Sequence, residues 1–423
     1  MFNKNFRKPG FSSARNSSTS GLTSNSLSRK HKPDYVLLII ATLLSLIGLI
    51  VVYSIGPGLV ATKNVSSNYF VSRQAASIFL GFIAFAIFSF MSVKTLKLSK
   101  NTLIGLSILG VIVVQIFGGT SSRWIQLGGF SFQVAELIKF ALIVWAASFL
   151  IEKSRNGEIN DFKKTLKPLL ILLLIIGVVV AKIESDLGSA GVMVAILGVM
   201  AFVARLPLKR VAIISGIVIL GTILTISTSS YRRVRVATFL NPSSDCQDAG
   251  YQACQALIAV GSGGIAGKGL GSGVQAYGYL PEAQNDSIFA ILAEKFGFLG
   301  VSVVIGLYLA LFERFKRIIE RTTDSFSQLF VVGVLTWFSI QTIINIGAMI
   351  GILPLKGITL PFVSYGGTSI LFAMAALGVV SHISRYTTFE PVRSLANKNR
   401  GKNDNRSVRE RVGRPYYAAG SRR

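Results

Sequence analysis

The sequence has few charged residues, few acidic ones in particular, and only two histidines and two cysteines. Charged residues make up 15% of the 423 positions, whereas soluble domains average roughly 25%. Neither His31 nor His382 has a cysteine or a second histidine at ligand spacing. A transition-metal site is therefore not predicted, and histidine-based acid–base catalysis has no support. The low charge and a hydrophobic content of 51% indicate that lipid is the main solvent of this chain.

Ten apolar segments approach the roughly 20 residues that a membrane-spanning helix needs. Proline is sparse, with 11 residues, and glycine is frequent, with 41, which suits membrane helices that pack closely. We therefore predict an all-α polytopic membrane protein of about ten transmembrane helices. The predicted spans are residues 35–55, 71–91, 102–117, 132–151, 168–183, 187–204, 211–226, 287–312, 328–351 and 366–383.

The basic residues are concentrated in two tails and in alternate loops. We predict a disordered basic tail at 1–34, a membrane domain at 35–385 and a second basic tail at 386–423. Together with Arg385, the tails and the loops 94–100, 153–167, 205–210 and 314–321 hold 33 of the 44 lysines and arginines. The positive-inside rule then places both tails in the cytoplasm, which requires an even number of spans.

The net charge of +26 has two interpretations, binding to nucleic acid and attraction to anionic lipid. Proteins that bind single-stranded nucleic acid interleave aromatic residues with basic ones, and this chain does not. We therefore favour topogenic charge that also attracts anionic lipid, and we predict no nucleic-acid partner. The first apolar segment starts late and is too long for a cleavable signal peptide, so it is predicted to remain as a helix.

Residues 227–286 form a connection of about 60 residues between spans seven and eight, on the outer side. Loops longer than about 15 residues are usually functional or disordered. This one carries Arg232, Arg233 and Arg235, and its apolar stretch 256–260 predicts partial order. The only cysteines, Cys246 and Cys254, also lie in it, in a compartment where disulfides persist. They are either joined by a disulfide or two unrelated thiols.

Several ionisable residues lie at membrane depth, where charge is costly and usually functional. Glu136 and Lys139 are three residues apart and share a helix face, either as a structural ion pair or as part of a site. Asp286 begins an apolar helix, where it is either a catalytic carboxylate or one of several good N-caps. The remaining members of this set are Lys182, Glu184, Asp186, Glu294 and Lys295.

The glycine-rich stretch 261–273 does not match a nucleotide-binding loop. A phosphate-binding loop ending at Lys268 would need glycine at 262 and serine or threonine at 269, and the chain has Ser262 and Gly269. A dinucleotide fingerprint would need a soluble βαβ unit. Glycine here is better explained by close approach of the backbone to a substrate or to the bilayer edge.

Three segments resemble one known family. Residues 261–300 read GSGGIAGKGLGSGVQAYGYLPEAQNDSIFAILAEKFGFLG, and residues 351–369 read GILPLKGITLPFVSYGGTS. Upstream, Arg123-Trp124 is followed by FQVAELIK at 132–139. These segments resemble the SEDS family (FtsW, RodA and SpoVE), and the resemblance runs from about residue 34 to 386. The PFVSYGG run is its most specific motif.

The resemblance implies a fold, an activity and a partner. The fold is a SEDS-like (GT-C-like) bundle in the bacterial inner membrane, with an active site that faces outward. The activity is that of a peptidoglycan glycosyltransferase, which polymerises the disaccharides of lipid II beside a class B penicillin-binding protein. The family's catalytic aspartate falls on Asp286, its polar pair on Glu136 and Lys139, and its Pro-Asp-Leu-Gly turn on Asp186-Leu187-Gly188.

The chain departs from the family pattern beside these residues. Gln284-Asn285-Asp286-Ser287 stands where members usually have His-Thr-Asp-Phe, which puts any role of that histidine in doubt. Val134 and Ser185 replace the usual prolines. Residues 280–283 and 355–361 look more like the division members, FtsW and SpoVE, than like RodA. A role at the division septum with other division membrane proteins is therefore expected, and a RodA-like elongation polymerase is the alternative.

The expected chemistry needs a base at the acceptor hydroxyl and positive charge at the departing diphosphate. Asp286 is the predicted base. The candidate cations are Arg123, Lys139, Arg235 and Lys268, and further candidates for substrate binding are Glu136, Asp186, Glu282 and Ser364. No cofactor is evident, although a divalent cation could share the charge. We also hypothesise that Ser364–Gly367 shapes a substrate-facing break before the last span, because Gly366 and Gly367 permit positive φ angles and close backbone approach; a tight structural turn is the alternative.

Two other classes of function fit the same sequence. Ten spans with intramembrane charges also suit a lipid II flippase or another transporter, although no internal repeat supports one. A non-catalytic scaffold that recruits division proteins through its tails is the second alternative. Polymerisation by the purified protein separates the enzyme from both.

Overall fold

A computed structural model describes residues 32–63, 68–117, 124–127, 130–184, 186–228, 230–241, 246–248 and 250–388. Nearly all of the predicted tails 1–34 and 386–423 lies outside these residues, as does Arg123.

Thirteen α-helices and one β-hairpin make up the described part of the chain. The helices are α1 (Tyr35–Lys63), α2 (Tyr69–Phe90), α3 (Val93–Leu98), α4 (Lys100–Phe117), α5 (Val134–Arg155), α6 (Lys167–Ile176), α7 (Leu187–Val203), α8 (Leu208–Ser227), α9 (Ser230–Leu240), α10 (Tyr251–Ser262), α11 (Ile288–Arg321), α12 (Ser325–Met349) and α13 (Gly367–Ser384). The antiparallel hairpin consists of β1 (Trp124–Leu127) and β2 (Phe130–Gln133). Two π-helical segments, Phe162–Leu166 and Gly177–Ile183, flank α6.

The prediction of a helical, membrane-embedded chain is confirmed. Among the described residues, seven helices are long and apolar enough to cross a bilayer, namely α1, α2, α4, α5, α11, α12 and α13. The other three predicted spans also fall on helical backbone: 168–183 on α6 and the π-helix after it, 187–204 on α7, and 211–226 on α8. The fourth span begins at Val134 rather than at 132, because the preceding residues pair in the hairpin.

Large apolar side chains remain exposed around the bundle, as expected where lipid is the solvent. Phe79, Phe90, Ile116 and Phe298 are each more than 60% exposed, whereas Trp337, at 1%, is enclosed. Lipid tails are as apolar as these side chains, so their exposure carries no penalty in a membrane.

The described residues of the predicted connection 227–286 are largely helices and turns rather than loop. It contains α9, α10 and a short 3-10 turn at Gln275–Tyr277. The partial order predicted around 256–260 is helix α10. A disulfide joins Cys246 to the buried Cys254 of α10.

Contacts between the helices define the two ends of the bundle. At the Asp34 end, the N–H of Asp34 donates to Ser384 Oγ (3.0 Å), and His382 Nδ1 donates to the carbonyl of Ser89 (3.0 Å). His382 is thus part of the packing between α2 and α13. At the Asp286 end lie residues 184, 186, 241, 246–248, 250–287 and 350–366, which belong to the connections at the opposite ends of the helices. The candidate functional residues gather there.

Candidate active site

Asp286 lies in a tight turn that leads into α11. The N–H groups of Asn285 and Ser287 donate to the carbonyl of Glu282 (2.9 and 3.2 Å), whose φ is +50°. Ser287 occupies the N-cap position of α11, and its hydroxyl donates to the carbonyl of Pro281 (2.9 Å). The cap position therefore belongs to Ser287, and the half-buried Asp286 precedes it.

Hydrogen bonds from α12 and from residues 364–365 hold the backbone carbonyls of residues 284–286. Asn345 Nδ2 donates to the carbonyls of Asp286 and Ile358, at 2.7 Å each. Ser364 Oγ donates to the carbonyl of Asn285 (2.7 Å), and the N–H of Tyr365 donates to the carbonyl of Gln284 (2.9 Å). We call residues 345 and 357–365 the bracket. It fixes the turn by backbone contacts and leaves the Asp286 carboxylate partly accessible.

Gly357 lies directly beside the Asp286 carboxylate. Its φ is +64°, and a Cβ added there would stand 3.3 Å from Asp286 Oδ2. A side chain at this position would therefore be strained and would crowd the carboxylate at the same time.

We expect Gly357→Ala to lower the activity of the site by roughly 10- to 100-fold, because a small misplacement of a reacting group costs about that much. The protein should still reach the membrane, since the backbone strain is only about 1–2 kcal/mol. Gly157→Ala is the matched control: its φ is +71°, but no atom lies within 4 Å of the added Cβ. Equal activity of the two variants, measured at equal amounts of membrane protein, would contradict this placement of Asp286.

Asp186 forms part of the wall of the site. Its carboxylate, 3% exposed, accepts the N–H of Ser189 (2.9 Å) at the start of α7 and lies 3.4 Å from Gln133 Nε2. A Cβ on Gly188 would stand 2.7 Å from Cγ1 of Ile358, so this turn packs against the bracket. The turn Asp186-Leu187-Gly188, which matches the family motif, thus lies against the bracket that holds the Asp286 turn. The carboxylate of Asp186 itself caps α7.

Glu136 and Lys139 form a closed ion pair inside the bundle. Lys139 Nζ lies 2.8 Å from Glu136 Oε1, and the two side chains are 0% and 2% exposed. The ammonium also lies 5.4 Å from the centre of the Trp337 ring. These contacts agree with the interpretation as a structural pair, and they enclose the charge of Lys139 away from solvent.

The glycine-rich segment folds back onto the start of α11. The N–H groups of Lys268 and Gly269 donate to the carbonyls of Glu294 and Lys295 (2.9 Å each). Lys295 Nζ donates in return to the carbonyl of Leu270 (3.0 Å). Glu294 and Lys295, which the sequence marked as ionisable groups at membrane depth, therefore hold this segment, and the exposed Lys268 side chain extends from it.

Four further predicted residues have different outcomes. Ser364 is buried in the bracket, where it also accepts the N–H of Leu360 (2.7 Å). Glu282 is exposed and accepts a hydrogen bond from Asn285 Nδ2. The backbone of Arg235 lies in α9, and its side chain lies outside the described residues, as does the whole of Arg123.

The hypothesis of positive φ at Gly366 and Gly367 is wrong. Gly366 has a φ of 174°, which is extended backbone, and Gly367 begins α13. The positive φ in this break belongs to Phe362, at +67°. Ser364 accepts the N–H of Leu360 and donates to the carbonyl of Asn285, which holds the chain on both sides of Phe362. The left-handed residue of this break is thus Phe362, and neither Gly366 nor Gly367 adopts a positive φ.

Sequence reasoning missed the uncharged amides that organise the site. Asn345 lies near the end of α12, and Gln74 near the start of α2 donates from Nε2 to the carbonyl of Ser364 (3.3 Å). The N–H of Gln133 donates to Thr368 Oγ1 (3.2 Å). A buried amide inside an apolar span was the signal that could have found Gln74 and Asn345, since buried polar groups need partners.

An apolar groove of about 520 Å³ lies between α4, α5 and α6. Its lining includes Ile108, Trp145, Pro168 and Ile175 and contains no charged side chain. Such a lining suits a hydrocarbon chain. Among the described residues, no group of three or more His, Cys, Asp or Glu side chains is arranged to hold a metal ion.

Comparison with known proteins gives a consistent result. Residues 34–389 match the cell cycle protein family that comprises FtsW, RodA and SpoVE. Stage V sporulation protein E of Bacillus subtilis is 36% identical over 368 residues, which cover 85% of this chain and 99% of that protein. A probable peptidoglycan glycosyltransferase FtsW of Geobacter sp. (strain M18) is 35% identical, covering 83% of this chain and 96% of the relative.

Solved structures have the same fold. One, described as a peptidoglycan synthase complex that coordinates polymerization and crosslinking, has a TM-score of 0.68 at 25% identity and covers 84% of this chain and 98% of that chain. The rod shape determining protein RodA of Thermus thermophilus has a TM-score of 0.61 at 24% identity, covering 84% and 97%. The family match at residues 34–389 includes Asp286 and the bracket. This multi-pass membrane protein belongs to the FtsW, RodA and SpoVE family.

Proposed function

We propose that this protein is a peptidoglycan glycosyltransferase that joins the disaccharides of lipid II into glycan strands, with Asp286 as its general base. The observation that carries the proposal is the bracket, which holds a half-buried carboxylate at one end of a membrane bundle. The relatives named as probable peptidoglycan glycosyltransferases support it. The similarity of this chain to FtsW and SpoVE favours a role at the division septum.

The reaction needs a proton acceptor and an anion site. The acceptor sugar's 4-hydroxyl attacks the anomeric carbon of the donor. A new C–O bond forms, the bond from that carbon to the diphosphate breaks, and the polyprenyl diphosphate leaves. Asp286 takes the proton of the attacking hydroxyl. It lies just before the first turn of α11, where the helix dipole attracts negative charge.

The bundle is oriented with its Asp286 end outside the cell and both tails in the cytoplasm. The basic loops at the Asp34 end support this orientation under the positive-inside rule. We expect reporter tags at either terminus to be protected in intact cells, and a tag inserted after Asn241 to be accessible from outside. An inaccessible tag at 241, together with accessible termini, would contradict the orientation.

Partners follow from the same orientation. The peptidoglycan synthase complex with a similar fold supports a class B penicillin-binding protein as the partner that crosslinks the strands. Other division membrane proteins and the anionic lipids that attract basic tails complete the proposed set.

Purified protein in liposomes with lipid II separates the proposal from its rivals. An enzyme yields glycan polymer, alone or with the class B partner. A flippase transfers lipid II between leaflets without forming polymer, and a scaffold does neither. Absence of polymer with and without the partner would reject the proposed function.

A further inference from the structure

We propose that Arg73 binds the diphosphate of the lipid-linked substrate. Arg73 lies on α2, outside the set of cations that the sequence indicated. The inference rests on the proposed function, because it names the residue that meets the donor's leaving group in that reaction.

The position of Arg73 follows from its neighbours on α2 and in the bracket. Gln74, the next residue, donates to the carbonyl of Ser364 (3.3 Å), and Ser364 Oγ donates to the carbonyl of Asn285 (2.7 Å). Phe70, one helical turn earlier, packs edge-on against Tyr365 with ring centres 5.5 Å apart. This part of α2 is therefore fixed at the Asp286 end, where Ser364 contacts both Gln74 beside Arg73 and Asn285 beside Asp286.

The guanidinium of Arg73 is held by aromatic residues. Its Cζ stands 4.0 Å from the centre of the Tyr69 ring. Burial raises the pKa of the Tyr365 hydroxyl, and the positive charge and hydrogen bond of Arg73 partly offset that rise. The Tyr69 ring thus orients the guanidinium through a cation–π contact, and Tyr365 lies near enough for its pKa to respond to the charge of Arg73.

The positive charge of Arg73 has no carboxylate neighbour among the described residues, none of which pairs with it within 4.0 Å. Lys139, a candidate from the sequence, is by contrast matched by Glu136 and fully buried. Arg73 is only partly buried. A cation that is oriented, accessible and not neutralised by a carboxylate is suited to an anionic ligand.

The geometry of a guanidinium suits phosphate. Its planar fork donates two parallel hydrogen bonds to phosphate oxygens, which an ammonium cannot match. Two sources of phosphate reach this depth, a bilayer phospholipid headgroup and the substrate's diphosphate. The link through Ser364 to the Asp286 turn favours the diphosphate, since the leaving group must lie near the base that starts the reaction.

The test is the binding of undecaprenyl diphosphate to the purified protein in detergent, without turnover. We expect Arg73→Gln to weaken binding by roughly 10- to 100-fold, as loss of a charge-assisted hydrogen bond does, and Arg73→Lys to lie between it and the wild type. Arg233→Gln, which removes an exposed arginine of α9 at the same end, should bind within about twofold of wild type. Gel filtration checks that each variant is folded.

Tyr365→Phe separates binding from support. It removes the hydroxyl whose pKa responds to the charge of Arg73, but keeps the cation and the ring. Diphosphate affinity within about threefold of wild type supports direct binding. A loss as large as that of Arg73→Gln would reduce Arg73 to a structural partner of Tyr365 and overturn the proposal, as would unchanged affinity in Arg73→Gln.

Two further measurements complete the test. One identifies the ligand, and the other distinguishes failure of the Arg73 site from failure of the proposed function. Phosphatidylglycerol that competes as strongly as undecaprenyl diphosphate would assign Arg73 to lipid headgroups and overturn the proposal. Wild-type protein that binds undecaprenyl diphosphate through Arg73 but forms no polymer would support the site and reject the glycosyltransferase. In an active enzyme, Arg73→Gln should also raise the KM for lipid II.

Discussion

Asp286→Asn is expected to reduce glycan polymerisation by about 10²- to 10⁴-fold, the usual contribution of a general base. Asparagine keeps the size of the side chain but cannot accept the hydroxyl proton. The fold should persist, because Asn345 and Ser364 hold this turn through backbone carbonyls, at 2.7 Å each. The measurement is the initial rate of polymer formation from lipid II, at equal amounts of folded protein.

Asp324→Asn is the matched control for the loss of one carboxylate beside a helix start. Asp324 caps α12 by accepting the N–H of Ser327 (2.8 Å), and it lies at the Asp34 end. Asparagine caps about as well as aspartate, so both stability and rate should stay near wild type. Near-normal polymerisation by Asp286→Asn would instead identify another base, and the exposed Glu282 of the same turn would be tested next.

The helices of this protein could be predicted from sequence because membrane spans follow a simple physical rule. About 20 apolar residues must satisfy their backbone internally, and every predicted span therefore falls on helical backbone. The connection 227–286 does not follow this rule, because its helices α9 and α10 have only 11 and 12 residues, too few to span a bilayer. Its helix α9 has the sequence SYRRVRVATFL, in which polar and apolar residues alternate without a long apolar run.

The parts of the candidate site that depend on residue type could be predicted from the sequence. The parts that depend on contacts between residues far apart in sequence could not. A carboxylate at Asp286 and a polar pair at Glu136 and Lys139 are visible as charges in apolar surroundings. The bracket is not visible in the sequence, because Asn345 and Ser364 lie far from Asp286 along the chain and bind its turn through main-chain carbonyls. Arg73 was also missed, because its place near the edge of a span resembled that of an ordinary flanking charge.

The buried pair gives a second large effect, on stability rather than on rate. Lys139→Met leaves the carboxylate of Glu136, 2% exposed, without its partner. Removing one member of a buried pair costs about 3–5 kcal/mol, a large part of the roughly 5–15 kcal/mol that stabilises a typical domain. We expect a marked fall in the midpoint of unfolding, measured in detergent, and less protein in the membrane.

The double variant Glu136→Gln/Lys139→Met tests the reason for that loss. It removes both charges, so no buried charge is left uncompensated, and most of the lost stability should return. Lys153→Met is the matched control, because Lys153 pairs with Glu158 (2.9 Å) where both side chains remain partly exposed. Little change is expected there, since exposed pairs contribute little.

The same pair of variants decides whether Lys139 also meets the substrate. If the charge is purely structural, the double variant should regain polymerisation along with stability, because Arg73 and Asp286 are untouched. A double variant that is as stable as wild type but inactive would instead give Lys139 a role at the diphosphate. A double variant no more stable than Lys139→Met would show that packing around Trp337, and not the unpaired carboxylate of Glu136, sets the cost.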